Sequence, residues 1–127
     1  MALHTSLAIH TASRQLFAVV TNAVLEMRRD AKPHFGKLIL EESLEIATLI
    51  QRANMAEEKD PHILGVIEKK SRVEFLLQTA LDTKLISTGH YGNAIRLTES
   101  LGKQAVRWRK DSQERQLRRR QGGDARA

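Results

Sequence analysis

Apolar residues recur along this chain with the period of an α-helix, in four separate runs. In the first, Ile9, Leu16, Phe17, Val20, Ala23, Val24 and Met27 fall on one stripe. That stripe predicts a helix over residues 5–29, capped by Thr5 or Ser6. Arg28 and Arg29 stand in its last turn, where cations favour the negative end of the helix dipole. Pro33 then pushes Lys32 out of helical geometry, which breaks the chain at residues 30–34. Pro33 itself is tolerated in the first turn of a second helix, predicted over residues 34–54. Leu38, Ile39, Leu40, Leu44, Ile46, Ala47, Leu49, Ile50 and Ala53 give that helix an apolar arc wider than one stripe. So wide an arc predicts burial on two sides. Either a partner helix from another subunit takes the second side, or the monomer covers it all.

Residues 55–59 read as a polar loop. Asp60-Pro61 reads as a helix start, with Asp60 the N-cap and Pro61 in the first position. The third helix is predicted over residues 61–86, with Ile63, Val66, Ile67, Val73, Leu76, Leu77, Ala80, Leu81 and Leu85 on its buried face. Ser87 or Thr88 caps the fourth, predicted over residues 88–120. Its stripe is Tyr91, Ala94, Ile95, Thr98, Leu101, Gly102, Ala105 and Trp108. Short connections between long helices force antiparallel neighbours. The expected fold is therefore all-α, an up-down-up-down four-helix bundle in one domain. The fourth helix should be about 50 Å long against about 38 Å for the first and third, so it should overhang. Residues 121–127 are expected to form a disordered basic end.

Charge sharpens this picture. Residues 1–102 carry 12 basic and 12 acidic side chains, whereas residues 103–127 carry 9 and 3. A neutral body with a cationic end suits phosphate backbones or acidic protein surfaces. The candidate nucleic-acid contacts are Lys103, Arg107, Arg109, Lys110, Arg115, Arg118, Arg119 and Arg120. Lys69, Lys70, Arg72, Lys84 and Arg96 form a second set. Trp108 reads as a packing residue rather than a base-stacking platform. The chain has no cysteine, which removes disulfides and thiolate metal sites. The amino terminus lacks the basic start and apolar run of a signal peptide. No apolar stretch approaches the ~20 residues of a membrane helix. A cytoplasmic protein without membrane contact is expected.

Catalytic chemistry has few candidates. Glu41, Glu42 and Glu45 invite a metal or acid–base reading, but the Glu-x-x-His partner of di-iron bundles is missing. Pro61 interrupts Glu58 and His62, and His4 and His10 are six apart, not four. The acidic trio reads as a solvated or ion-paired face. No enzyme activity, metal or cofactor is expected.

The segments AKPHFGKLILEES, LEIATLIQRANMA, VEFLLQTALDTKLISTGHYGNAIRL and SLGKQAVRW carry a resemblance across residues 16–110. The chain resembles the accessory variability determinant (Avd) proteins of diversity-generating retroelements. These belong to a wider group of four-helix-bundle proteins that includes those encoded in ribosomal RNA intervening sequences. Leu76, Leu77, Leu85, Ser87 and Tyr91 form the most specific part. Gly102 and Trp108 fall where that family carries a glycine and a tryptophan. The resemblance implies a non-enzymatic, basic homopentameric barrel. It implies as partners a reverse transcriptase and nucleic acid, in a complex that performs mutagenic copying of a template RNA. Two departures stand out. Val106 and Arg107 replace a double glycine common before the tryptophan, and Gln78 replaces a frequent arginine. The rival reading is a helical protein–protein module with no nucleic-acid role.

Overall fold

The computed structural model describes residues 2–126, with side chains from residue 8 to residue 122. Four helices make up the fold: α1 (Ala2–Leu25), α2 (Lys37–Met55), α3 (Asp60–Asp82) and α4 (Thr88–Arg126). A π-helical turn, Lys32–Gly36, leads directly into α2. Each helix packs on its two neighbours in a ring, α1 on α2 and α4, and α3 on α2 and α4. The helices are all-α and antiparallel, as the short connections require.

One stripe of each helix meets in the middle. Ile9, Leu16 and Val20 come from α1, and Ile39, Ile46 and Ile50 from α2. Ile63, Val66, Val73 and Leu77 come from α3, and Ala94, Leu101, Ala105 and Trp108 from α4. Each large aliphatic side chain so buried contributes about 1.5–3 kcal/mol of transfer free energy. These buried positions belong to the stripes the periodicity predicts, although Leu38 and Leu44 of the second are exposed, and Trp108 is a core residue.

The ends differ from expectation in instructive ways. α1 stops at Leu25 rather than Arg29. The chain needs residues 26–31 to reverse before Pro33, and two short bonds, Met27 N–H to the Val24 carbonyl and Ala31 N–H to the Arg28 carbonyl, close that reversal. The wide turn after it lays Gly36 on α1. A Cβ there would lie 2.7 Å from Val24 Cγ1, so only glycine permits the approach. The predicted cap at Thr5 or Ser6 lies inside α1, and those side chains fall outside the described residues. α3 stops at Asp82, four residues early. Lys84 adopts the left-handed conformation at φ 61°. The Leu85 N–H bonds the Ala80 carbonyl at 2.8 Å, and the Lys84 N–H bonds the Leu81 carbonyl at 3.0 Å. This is a Schellman stop with lysine in the position glycine prefers. Ser87 accepts the His90 N–H at 3.0 Å and caps α4.

Asp60 does not cap α3. It is the first helical residue, and its carboxylate turns to α4 instead. α4 continues to Arg126, past the Arg120 boundary read from the sequence, and Ala127 lies outside the described residues. Its 39 residues span about 58 Å, against about 35 Å for the 23 of α3. α4 therefore runs beyond the bundle. Among the described residues, no helix is long and apolar enough to cross a membrane.

Candidate nucleic-acid interface

The basic residues divide by whether a carboxylate holds them. Glu42 sits in the buried stripe of α2, between Ile39 and Ile46, and is only 7 % exposed. Lys69 Nζ lies 2.8 Å from its Oε2, and Arg72 Nη2 3.0 Å from its Oε1. Burial pushes the Glu42 carboxyl up, but Lys69 and Arg72 outweigh it and hold the group below its usual value. Lys70 lies 3.0 Å from Glu74, whose other oxygen accepts the Thr98 hydroxyl of α4 at 2.8 Å. The Lys70 stem crosses Gly102, where a Cβ would fall 2.8 Å from Lys70 Cε. Lys69 and Arg72 thus tie α3 to α2, while Lys70 pairs within α3 with Glu74, which reaches α4 through Thr98. Lys84 is exposed at the α3 stop, and Arg96 donates to Asn93 one turn earlier on α4.

Arg109, expected at the interface, is engaged inside the fold. Its Nε donates to Asp60 Oδ1 at 2.8 Å, its Nη2 to Oδ2 at 3.4 Å, and Gln113 joins the same carboxylate at 3.0 Å. This clasp fixes α4 to the start of α3 across 49 residues of sequence.

The remaining α4 cations form no ion pair among the described residues. Lys103, Arg107, Lys110, Arg115, Arg118, Arg119 and Arg120 are all exposed. Lys103, Arg107 and Lys110 rim a groove of about 810 Å³ between α3 and α4, with Ile67, Gly102 and Val106 also lining it. Glu99, Asp111 and Glu114 share that rim. Lys103 and Arg107 also border a second groove of about 530 Å³ with Ala8, Arg96 and Gln104. They therefore stand on a ridge between the two grooves.

Further along, Arg115 and Arg119 come beside Lys59, a residue the sequence reading passed over. Lys59 Nζ donates to the carbonyls of Ala53, Asn54 and Ala56 at 2.9, 3.1 and 2.8 Å, closing the C-terminal end of α2. Burial, then Arg115 and Arg119, hold this ammonium below the usual lysine range. A lysine shortly after a helix end was the available signal.

The other chemistry-bearing groups are locally engaged. Glu41 and Glu45 make long exposed contacts with Lys37 at 3.9 Å and Arg52 at 3.8 Å. Among the described residues, no three His, Asp or Glu side chains group as metal ligands. Gln78, which replaces the arginine of the resembled family, accepts the Tyr91 hydroxyl at 2.8 Å and donates to Asp82. On the outer face, Leu38 and Leu44 of α2 and Phe75 of α3 remain exposed, Phe75 by 72 %. The apolar arc of α2 is thus only partly covered by its own chain. Comparison of the chain with protein families, with curated proteins and with solved structures finds no match.

Proposed function

We propose that this protein is a non-enzymatic scaffold that binds nucleic acid through the cationic face of α4. The observation that carries the reading is the contrast in pairing. Among the described residues, Arg109 alone of the eight basic residues from Lys103 to Arg120 is held by a carboxylate. Exposed, unpaired cations along a rod are arranged to meet phosphates, and such binding is weakly sequence-selective and strongly salt-dependent. The resemblance to the Avd proteins extends the proposal. In that reading the chain is an accessory of a diversity-generating retroelement, its partners being the reverse transcriptase and the template RNA or its cDNA. The uncovered Leu38 and Leu44 on α2 support self-assembly, and a homopentameric barrel is the form the resemblance implies. A ring would multiply one modest basic surface and gain avidity without new contacts.

A mobility shift with single-stranded RNA and DNA at near-physiological salt tests the reading. A salt-sensitive shift is expected. A protein–protein module that uses its basic surface to dock on an acidic partner would give none.

A further inference from the structure

The turn between α2 and α3 folds against α4 just before the overhang and forms a small notch there. Lys59 stands on one side and Arg115 and Arg119 on the other. The two arginines are four residues apart and so share one face of α4. All three Lys59 donors are used by the carbonyls of Ala53, Asn54 and Ala56 at the end of α2, so its charge is fixed in place beside the arginines. Glu57 and Asp111 also line the notch, yet neither forms an ion pair with these cations. The notch therefore gathers three cations against two carboxylates, none of them joined in an ion pair among the described residues. The notch is small, about 50 Å³, and opens to solvent. Its cationic lining suits a small anionic group such as one phosphate better than an uncharged base or sugar. The Ser112 hydroxyl, on a buried residue, is a further donor at the site.

We propose that this notch seats a single phosphate group, with Arg115 and Arg119 donating to its oxygens and Lys59 supplying a fixed charge. The inference deepens the nucleic-acid reading and rests on it for the source of the phosphate. Elsewhere on α4 the contacts are diffuse. Here one phosphate is held in register with the bundle. Because Lys59 also closes α2, an oxyanion that relieves the repulsion around it stabilises the α2–α3 turn.

Trp108, the sole tryptophan, lines the notch and reports on it. The experiment titrates the full chain with inorganic phosphate, against chloride at equal ionic strength, and reads Trp108 fluorescence and Tm. A short single-stranded RNA is then titrated in the same way. A saturable fluorescence change and a rise in Tm are expected with phosphate and not with chloride. Arg115→Gln combined with Arg119→Gln should weaken the phosphate response at least tenfold with unchanged helical circular dichroism. Arg118→Gln combined with Arg120→Gln should keep that response while weakening RNA binding. If RNA shifts the protein but neither ligand gives a saturable Trp108 signal, the notch is overturned and the broader function stands. If phosphate saturates the notch but no RNA binds, the seat stands and the nucleic-acid reading falls.

Discussion

α3 and α4 both carry dense positive charge, and the two sets differ in what holds them. The α3 cations Lys69 and Arg72 meet Glu42 of α2 at 2.8 and 3.0 Å and hold the two helices together, and Lys70 meets Glu74 of its own helix at 3.0 Å. The α4 cations from Lys103 to Arg120, Arg109 excepted, meet no carboxylate among the described residues. Charge of the first kind is part of the packing. Charge of the second kind is available to a partner. Counting lysines and arginines cannot separate them, since the difference lies in which carboxylate the fold brings within 4 Å.

The largest expected effect comes from the available set. Replacing Arg118, Arg119 and Arg120 with alanine removes up to three phosphate contacts. RNA affinity near 0.15 M salt should then fall by roughly 100-fold, with little change in stability. Electrophoretic shift and urea unfolding on the same preparation measure both. The reverse outcome, lost stability with retained affinity, would erase the distinction between the two helices.

Glu42→Gln probes the paired set. It leaves Lys69 and Arg72 without their shared carboxylate, and about 2 kcal/mol of stability should be lost at pH 7. RNA affinity should hold or rise slightly as the two cations are released. The pH dependence has a definite sign. The Glu42 carboxyl is held below its usual value of 4.5 in the fold, so its contribution is complete above that value. It is lost as pH falls through the lowered folded value, so wild type and variant should converge there in urea unfolding. A gap that widens in acid would mean that Glu42 is not held as an ion pair.

Lys84 is a third kind of cation, exposed but set by backbone conformation. Its φ of 61° favours glycine. Lys84→Gly should raise stability by about 1 kcal/mol and lower RNA affinity only slightly, since it removes one exposed cation away from the α4 rod. A lower Tm, or a clear loss of RNA affinity, would show that the side chain does more than occupy the α3 stop.

Much of the fold was legible because it depends on local rules. The 3.6-residue stripes located all four helices, and Pro33, Pro61 and Ser87 marked their starts within a few residues. Glu42 was legible too, in principle, since it falls between Ile39 and Ile46 on the buried stripe while Glu41 and Glu45 fall off it. What escaped depends on distant partners. Asp60 has every local mark of an N-cap, yet Arg109 and Gln113 claim its carboxylate from 49 and 53 residues away. Lys59 looked like loop filler until the fold brought Arg115 and Arg119 beside it. Helix ends shifted where the chain had to turn, at residues 26–31 and at Lys84.

The most direct test measures the salt dependence of RNA binding for two triple variants. One removes Lys69, Lys70 and Arg72 as glutamines, and the other removes Arg118, Arg119 and Arg120 likewise, each with folding verified by circular dichroism. The slope of log affinity against log salt should fall by about 2–3 for the α4 variant. It should stay at the wild-type value for the α3 variant. Equal falls in both, or a fall only in the α3 variant, would contradict the claim that pairing decides which charge this protein presents.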